Sequence, residues 1–449
     1  MTRSSDTIFA QATPAGRAAI AVIRISGPQA HDAPALFGAT CPAPGRFSVA
    51  RLRDRQGGLL DEALILAMAG PRSSTGENVV EIHAHGSAAV AAAILECLAQ
   101  ADGFRPAMAG EFTHRMFANG KIDLLGTEAL ADLIDSETDL QRQQAWRQMQ
   151  GALYLPVSAW RDEMIRLGGQ LEALIDFADE DLPPEVETRL REDTTALITA
   201  MEVILDDGGL GEAIRDGVTV SLFGPVNAGK STLLNRLAGR EAAIVSDKAG
   251  TTRDVVSVRI DLDGMPVTLL DTAGVRQTED EIEAEGVQRA LNAAQQADAA
   301  MLVLDVSDPD WRSDLAGLRD LAGSRACVIL NKRDLAGDVD ASDINGDNTV
   351  LVSLVQDEAI DEVLAALRAM VVPANRADGG GIITRARHRA ALQEAVDALR
   401  AVLGHSFGTA PEIAAEDYRR AADSLGRITG AIDAEELLGS IFSSFCIGK

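Results

Sequence analysis

The residues best suited to chemistry form a glycine-rich segment that ends in lysine and serine. Residues 224–231 read GPVNAGKS and fit the pattern G-x-x-x-x-G-K-[ST]. Glycines let backbone N–H groups wrap phosphates, while Lys230 neutralises the β- and γ-phosphate oxygens and the Ser231 hydroxyl joins a Mg²⁺ shell. The segment follows the apolar run VTVSLF and opens the helical run STLLNRLAG. A chance glycine-rich turn, the alternative, would not require this context.

Two motifs further along the chain complete the requirements of a guanine-nucleotide site. Asp271 ends an apolar run in TLLDTAG, where it can hold Mg²⁺ through water while the Gly274 N–H meets a γ-phosphate. Residues 331–334 read NKRD after the apolar run CVIL. The Asp334 carboxylate can accept both guanine N1–H and N2–H, which adenine does not offer. Alone, NKRD also fits a solvated turn, but the three motifs in this order predict a GTP site.

A polar segment between the first two motifs has the position of a switch loop. Residues 250–254 read GTTRD, and a threonine hydroxyl there can complete the Mg²⁺ shell when a γ-phosphate is present. The alternative is a polar turn without a ligand. Val275 follows the DTAG motif, where Ras-like GTPases place a water-orienting glutamine. Valine cannot orient water, so another group must do so.

The elements that position these residues alternate between strand and helix patterns. Strand-like alternation at Val218–Phe223 is followed by helical segments and apolar runs up to about residue 372. Nearer the N-terminus, apolar runs at Ala18–Ile25 and Glu62–Ala67 and alternation at Val79–His85 predict strands. Helix-forming composition follows at Ala88–Ala99. Both regions are therefore predicted to be mixed α/β.

Helical periodicity dominates the remaining stretches of the chain. Apolar residues recur three and four apart at residues 123–150, Trp160–Phe177 and Thr188–Leu205, and again from Thr384 onward. Breaks fall at Pro183–Pro184 and at glycines 208–209. The simplest account is a helical domain, residues 121–215 and 376–449, interrupted by an inserted α/β domain at residues 216–375. Its two helical blocks are expected to pack together.

Composition limits the class of protein and its partners. The 449 residues include 41 basic and 68 acidic side chains, so the formal net charge is −27. This balance argues against a general nucleic-acid binder, although it leaves room for a local basic groove. Four cysteines without C-x-x-C spacing favour a reducing compartment over disulfides or structural zinc. Without a secretory signal pattern or a long apolar stretch, we expect a cytoplasmic protein that does not span a membrane.

Beyond single motifs, the chain resembles the MnmE (TrmE) family of tRNA-modification GTPases of bacteria and organelles. The resemblance is carried by GPVNAGKSTLLN, EAAIVSDKAGTTRDV, DTAG and the terminal FCIGK, and by DTIFAQATPAG, VIRISG, GENVVEIHAHG and GEFTHRMFANGKIDLLGTEALADLID. These segments span essentially the whole chain. The resemblance implies a multidomain protein: an α+β folate-binding and dimerisation domain at residues 1–120, a split all-α helical domain, and an inserted α/β P-loop GTPase domain (the G domain).

The resemblance also implies that the G domain is activated by K⁺-dependent dimerisation. In such domains a P-loop asparagine, here Asn227, helps to hold K⁺ beside the phosphates. The cation neutralises charge that develops during hydrolysis, as an arginine finger does elsewhere. The implied metal ligands are Ser231 and Thr252 for Mg²⁺, and Asn227, Ser246, Lys248 and Thr251 for K⁺.

A glutamate after the DTAG motif is implied to replace the missing glutamine. Glu283 aligns with the family's water-positioning glutamate, so the implied catalytic residues are Glu283, Lys230 and Asn227. Because Glu283 lies in an acidic run, residues 279–285, the alternative is a solvated face. The full predicted nucleotide- and cation-binding set is Asn227, Ala228, Gly229, Lys230, Ser231, Thr232, Ser246, Asp247, Lys248, Ala249, Gly250, Thr251, Thr252, Asp271, Thr272, Ala273, Gly274, Asn331, Lys332 and Asp334.

A site for a reduced folate is implied in the N-terminal domain. The positions that match folate-contacting residues of the family are Arg24, Glu81, Lys121 and Lys449. Cations suit the glutamyl carboxylates of a 5-formyl- or methylene-tetrahydrofolate, and a carboxylate can pair with the pterin N–H edge. In isolation, each residue would be read as a surface charge. His83 and His85 share a strand face with Glu81, but two histidines favour a polar pocket over a metal site.

The implied activity is addition of an aminomethyl-type (carboxymethylaminomethyl) group at C5 of the tRNA wobble uridine. A homodimer of the chain would act with a flavoprotein partner, MnmG, and GTP hydrolysis would drive a conformational change. One alternative is a GTP-regulated ribosome-assembly switch without base chemistry, which would need no folate pocket. Another is an ATPase motor, for which Asp334 would be irrelevant.

Overall fold

The computed structural model describes most of the chain as two compact units. The described residues are 6–176, 184–240, 256–271, 297–322, 325–336, 348–356, 358–372, 381–407, 411–432, 438–439, 441–442, 445 and 448. The first unit comprises residues 1–131, 148–190 and 397–449, and the second comprises residues 132–147 and 191–396. The predicted domain boundaries, and the insertion of one domain into another, stay predictions.

A six-stranded, mainly antiparallel sheet lies in the first unit. Its strands are β1 (Thr7–Gln11), β2 (Ile20–Ser26), β3 (Phe47–Arg53), β4 (Leu59–Met68), β5 (Val79–His85) and β6 (Phe104–Pro106). The order is β3-β4-β5-β2-β1-β6, and only the β1–β6 pair is parallel. The predicted strands at 18–25, 62–67 and 79–85 therefore correspond to β2, β4 and β5.

The helices, in chain order, account for most of the remaining described residues. They are α1 (Ala88–Ala99), α2 (Glu111–Ala118), α3 (Leu124–Asp135), α4 (Asp139–Met149), α5 (Tyr154–Asp176), α6 (Pro184–Leu205), α7 (Leu210–Asp216), α8 (Lys230–Arg240), α9 (Trp311–Ala322), α10 (Glu358–Val371), α11 (Ala386–Gly404) and α12 (Pro411–Thr429). A 3₁₀ helix spans Ala30–Phe37. In the described chain no helix combines the length and apolar character needed to cross a bilayer.

The two faces of the first sheet differ in character. Strand β5 alternates, with Val80, Ile82 and Ala84 buried in a core that also contains residues of α1 and the 3₁₀ helix. Its intervening residues, Glu81 and His83, project from the opposite face because side chains alternate along a strand. The alternation predicted for this strand is therefore confirmed, and the second face carries polar groups.

Two helices from distant parts of the sequence pack together in the first unit. The buried Tyr418 side chain of α12 packs against α5 at Gly168, which has no side chain to block the approach. A Cβ atom at Gly168 would lie 3.2 Å from Tyr418 Cβ. Arg419 of α12 also donates to Glu172 of α5 over 2.6 Å. The predicted packing of the two helical blocks is confirmed at this helix pair.

A second six-stranded sheet lies in the second unit and is mainly parallel. Its strands are β7 (Val218–Phe223), β8 (Val256–Leu262), β9 (Met265–Asp271), β10 (Ala299–Asp305), β11 (Ala326–Asn331) and β12 (Thr349–Leu351). The order is β12-β11-β10-β7-β9-β8, and only β8 runs antiparallel to its neighbour. Apolar clusters cover both faces, as expected for a parallel sheet between helices.

The helical pattern at residues 123–150 forms two helices rather than one. The break falls between Asp135 and Asp139, where Thr138 Oγ1 accepts from the Gln141 N–H at 3.3 Å. In return, the Gln141 side chain accepts from the Thr138 N–H at 3.1 Å. These reciprocal bonds form a capping box, which begins a new helix at α4. The sequence signal T-x-x-Q was present but does not interrupt the apolar periodicity.

Candidate functional site

The five mutually parallel strands of the second sheet present functional residues at their carboxyl ends. The glycine-rich loop follows β7, Asp271 ends β9, and Asn331 ends β11. Asp305 ends β10, and the loop that contains Ser353 follows β12. Ligands of open α/β sheets bind at this edge, because loops from neighbouring strands converge there. The predicted motifs thus meet at the expected edge of the sheet.

The glycine-rich loop adopts a conformation that requires left-handed backbone angles. Asn227 has φ +64°, which is uncommon for a residue other than glycine, and its side chain is exposed. Ala228 is buried, and Thr232 is exposed at the start of α8. Helix α8 begins at Lys230, so its first N–H groups point into the loop and suit an anion. The loop therefore has the features of a phosphate cradle.

Lys230 is held inside this cradle. Its Nζ donates to the carbonyl oxygens of Gly224 and Pro225, both at 2.6 Å. Burial lowers the pKa of the Lys230 amino group, and the Asp271 carboxylate opposes this shift. The ammonium group is thus poised beside the loop that phosphates would occupy.

Ser231 and Asp271 form a pair of oxygen donors suited to Mg²⁺. Ser231 Oγ donates to Asp271 Oδ2 over 2.8 Å, although the two residues lie on different elements, α8 and β9. Asp271 is buried, with 3% exposure. Mg²⁺ prefers hard oxygen ligands and retains several waters, so a hydroxyl with a nearby carboxylate fits this ion. The structure brings Ser231 and Asp271 together, and their roles in holding Mg²⁺ stay predictions.

Asn331 joins the phosphate loop to the base-binding side of the site. Its Nδ2 donates to the Ala228 carbonyl at 2.8 Å, and its Oδ1 accepts from the Leu354 N–H at 3.0 Å. Gly229 allows this close approach, because a Cβ atom there would lie 2.3 Å from Asn331 Nδ2. Asn331 therefore fixes the relative positions of three loops by its own hydrogen bonds.

The remaining residues of the NKRD motif contact polar partners that hold them in place. Lys332, at φ +65°, donates to Asp305 Oδ2 over 2.5 Å. Burial raises the pKa of Asp305, but hydrogen bonds from Lys332 and Ser307 outweigh this effect and lower it. Asp334 is exposed, and its Oδ1 accepts from the buried Ser353 hydroxyl at 2.5 Å. Asp334 thus presents an oriented carboxylate at the edge of the sheet.

Asp305 is a contact residue that the motif analysis did not identify. It ends an apolar strand, as Asp271 does, and this position is the one signal that points to it. Several predicted site residues lie outside the described residues, and their roles stay predictions: Ser246, Asp247, Lys248, Ala249, Gly250, Thr251, Thr252, Thr272, Ala273, Gly274, Glu283 and Lys449.

The predicted folate residues of the first unit are brought together in part. Arg24 of β2 and Glu81 of β5 are register partners, and Arg24 Nε donates to Glu81 Oε1 over 2.9 Å. The Arg24 guanidinium lies 5.8 Å from the centre of the Phe112 ring. Lys121 instead donates to the Pro71 carbonyl at 2.9 Å. A cation and a carboxylate thus meet on the second face of the first sheet, with the buried Phe112 ring beneath the guanidinium. The cation and the carboxylate are a polar set that fits a pterin with its glutamyl tail.

The histidines on the same strand contact carboxylates separately. His83 Nε2 lies 3.2 Å from Glu81 Oε2, and His85 Nδ1 lies 2.7 Å from Asp61 Oδ1. Across the described residues, three or more histidine, cysteine or carboxylate side chains are nowhere grouped as metal ligands would be.

The fold and the site together define a P-loop GTPase. Its parts are a glycine-rich loop after the first parallel strand, an aspartate at the end of the neighbouring strand and an N-K-x-D motif at the end of a third strand. Two family descriptions match the chain: "GTP-binding protein TrmE N-terminus" over residues 7–121 and "MnmE helical domain" over residues 124–446. The chain belongs to the MnmE (TrmE) family and is a GTP hydrolase.

Similar proteins are found along the full length of the chain. The tRNA modification GTPase MnmE of Parvibaculum lavamentivorans is 49% identical over 447 residues, which cover 99% of this chain and 100% of that protein. The protein of the same name from Paramagnetospirillum magneticum is 48% identical over 448 residues, with the same coverage. Among solved structures, Aquifex aeolicus Era Y63A bound to GDP and AlF₄⁻ is 24% identical, with a TM-score of 0.28. It covers 40% of this chain and 66% of that one.

Proposed function

We propose that the chain uses GTP hydrolysis to drive modification of the tRNA wobble uridine. The observation that carries the proposal is full-length similarity to tRNA modification GTPases, at 49% identity over 99% of the chain, together with a complete set of nucleotide motifs. The product would carry an aminomethyl-type (carboxymethylaminomethyl) group at C5 of uridine. Hydrolysis would supply a conformational change rather than atoms of the product.

The described half of the nucleotide site supports hydrolysis with Mg²⁺. Ser231 would bind the ion directly and Asp271 would hold it through water, because their oxygens already lie 2.8 Å apart. Thr252 would complete the shell when the γ-phosphate is present. Lys230, released from the two loop carbonyls that it now contacts, would bind the β- and γ-phosphates.

A monovalent cation would supply the charge that an arginine finger supplies elsewhere. Asn227 is exposed at the front of the phosphate loop, where an amide oxygen could bind K⁺ beside the phosphates. Ser246, Lys248 and Thr251 would provide the other ligands as two G domains meet. Glu283 would position the attacking water, because Val275 cannot do so.

The first unit would bind the one-carbon donor. The Arg24–Glu81 pair offers both a cation for folate carboxylates and an acceptor for the pterin N–H edge. Lys121 and Lys449 would add positive charge, and the donor would be a methylene- or 5-formyl-tetrahydrofolate. The active assembly would be a cytoplasmic homodimer, not attached to a membrane, that acts on tRNA with the flavoprotein MnmG.

The decisive experiment compares steady-state GTP hydrolysis in KCl and NaCl at matched ionic strength. We expect faster hydrolysis in KCl by the unaltered chain and loss of this preference in Asn227→Ala. Asn235→Ala is the matched control, because Asn235 is also exposed but lies further along α8. It should keep the K⁺ preference.

Equal rates of the unaltered chain in both salts would remove the cation from the mechanism and leave the GTP site standing. Loss of reduced-folate binding in Arg24→Ala, measured by titration, supports the modification role. Retention of full folate affinity in that variant would contradict the proposed folate site.

A further inference from the structure

The start of α4 contacts the turn of the β8–β9 hairpin, at the end of the hairpin that is farther from the predicted nucleotide site. Thr138 Oγ1 donates to the Gly264 carbonyl at 2.6 Å, and Gly264 lies in the turn between the two strands. Leu140 packs against the apolar core of the second sheet. The other end of β9 is Asp271, the residue proposed to hold Mg²⁺ through water. One hairpin therefore contacts the nucleotide site at one end and α4 at the other.

A charged pair attaches α4 to the same hairpin a second time. Arg259 of β8 lies with its Nε 2.9 Å from Glu137 Oε2. The Nε atom is buried without an aligned hydrogen-bond acceptor, so this contact is an ion pair rather than a directional bond. A polar cavity of about 270 Å³ lies beside it, with both side chains in its wall. On this side, therefore, the start of α4 faces a polar space, whereas Leu140 faces the apolar core.

Further along, α4 binds the segments that lead into and out of the second sheet. Gln144 is buried, and its Nε2 donates to the carbonyl oxygens of Gly211 at 3.0 Å and Gly381 at 2.9 Å. Gln141 Nε2 donates to the Arg215 carbonyl at 2.9 Å. One helix thus contacts the hairpin turn, the segment before β7 and the segment after α10.

The two strands of the hairpin are paired along its whole length. Its ladder is continuous from Asp271, opposite Val256, to Met265, opposite Leu262. Nucleotide switches act by contacts that a γ-phosphate and its Mg²⁺ make and that hydrolysis removes. We expect a change at the Asp271 end to reach Gly264, because the two strands are paired without interruption between these points.

We propose that Thr138 and Glu137 are positioning residues that couple the nucleotide state to α4 through the β8–β9 hairpin. Through Gln144, the same helix would pass the change to the two adjacent segments that lead into and out of the second sheet. The inference rests on the proposed use of nucleotide turnover to drive modification. It adds the contact through which the conformational change would pass from the nucleotide site to α4.

Coupling between two sites is reciprocal, and this property provides the test. If the nucleotide state biases α4, a change at the α4 contact must alter the preference between nucleotides by the same free energy. The measurement is the ratio of the affinities for GDP and for a non-hydrolysable GTP analogue, each titrated with Mg²⁺ in KCl. A residue with only a structural role would change both affinities together.

Thr138→Val removes the donor to Gly264 at almost constant shape. We expect the affinity ratio to change about fivefold or more, and Thr138→Ser, which keeps the hydroxyl, to restore the unaltered ratio. Thr199→Val is the matched control, because Thr199 is exposed and bonds only within α6. Because Thr138 also caps α4, Glu137→Gln serves as a second variant that leaves the cap intact. It should change the ratio in the same direction.

The inference is overturned if the ratio stays within twofold of the unaltered value in folded Thr138→Val and Glu137→Gln. It is also overturned if both affinities fall in proportion, because the contact would then be structural. Failure of the proposed function would look different: the unaltered chain would show no K⁺ preference and no role in tRNA modification, whatever the ratio does in these variants.

Discussion

At the scale of single residues, different side chains of the predicted nucleotide site hold the loops in place and contact the base. Asn331 is buried, and both polar atoms of its side chain form hydrogen bonds with the loops at residues 228 and 354. Asp334, three residues later, is exposed and has one oxygen bound by Ser353. Base selectivity should therefore depend on Asp334, whereas Asn331 holds the loops that surround the nucleotide.

Asp334→Asn should exchange the preferred base. An amide can accept from guanine N1–H, but its NH₂ group meets the guanine amino group as donor to donor. The variant thus loses the charge-assisted bond to the amino group and keeps only a neutral bond to N1–H. At about 1.5–3 kcal/mol for a charge-assisted bond, GTP binding should weaken by about tenfold to a hundredfold or more. Xanthosine triphosphate, which carries an oxygen at that position, should bind the variant better than GTP does. Competition of both nucleotides against a fluorescent analogue measures the change.

The control for this change is Asp310→Asn, a substitution of the same type at an exposed residue of the same unit. It should leave both affinities unaltered. Unchanged discrimination between GTP and xanthosine triphosphate in Asp334→Asn would show that another group reads the base.

The identities of the site residues were predictable, but several of their contacts were not. Lys230, Ser231 and Asp271 belong to local motifs in which residue type and spacing define the chemistry. The Asn331 bond to the Ala228 carbonyl joins residues 103 positions apart and depends on how β7 and β11 are placed in the sheet. Distances of this kind arise from tertiary packing, about which motif spacing carries no information.

At the scale of elements, burial decides which parts of the fold the sequence reveals. Strand β5 alternates between buried and half-buried residues, and its predicted bounds were confirmed. Strand β3 alternates in exposure, but it buries only Leu52 and exposes Phe47 and Val49, so its apolar residues do not mark a buried face in the sequence. Its position is fixed by pairing with β4. Helix α6 begins at Pro184, where a break was predicted, for a different reason. Proline suits the first turn of a helix, because the N–H that it lacks would have no partner there.

The α5–α12 contact offers a test of element packing with two adjacent glycines. Gly168→Leu should destabilise the chain by about 1–3 kcal/mol, because its side chain would enter space occupied by Tyr418. The neighbouring Gly169 has open space around its Cα and is exposed. Gly169→Ala should be neutral or stabilise the helix by up to about 1 kcal/mol. Thermal unfolding of the full chain followed by helical circular dichroism compares the two.

A lower melting temperature in Gly169→Ala than in Gly168→Leu would contradict the packing described for this helix pair. The same unfolding experiment on Gly239→Ala, an open helical glycine of the second unit, shows the effect of the substitution type alone.

At the scale of the whole molecule, net charge constrains how a tRNA substrate can be held. With 41 basic and 68 acidic side chains, the chain carries −27 and repels a polyanion at long range. Binding of nucleic acid by phosphate contacts requires a local excess of lysine or arginine. A division of labour in which the proposed flavoprotein partner supplies most of the phosphate contacts would reconcile this charge with the proposed tRNA substrate.

Salt dependence of tRNA binding tests this division of labour. Because each phosphate contact contributes about 0.7–0.9 to the slope of log K against log salt, the chain alone should show weak binding with a slope of about 2 or less in magnitude. Addition of the flavoprotein partner should strengthen binding and steepen the slope, and the partner alone serves as the control. Tight, steeply salt-dependent binding by the chain alone would refute the division of labour, since it would require a basic surface strong enough to overcome a net charge of −27.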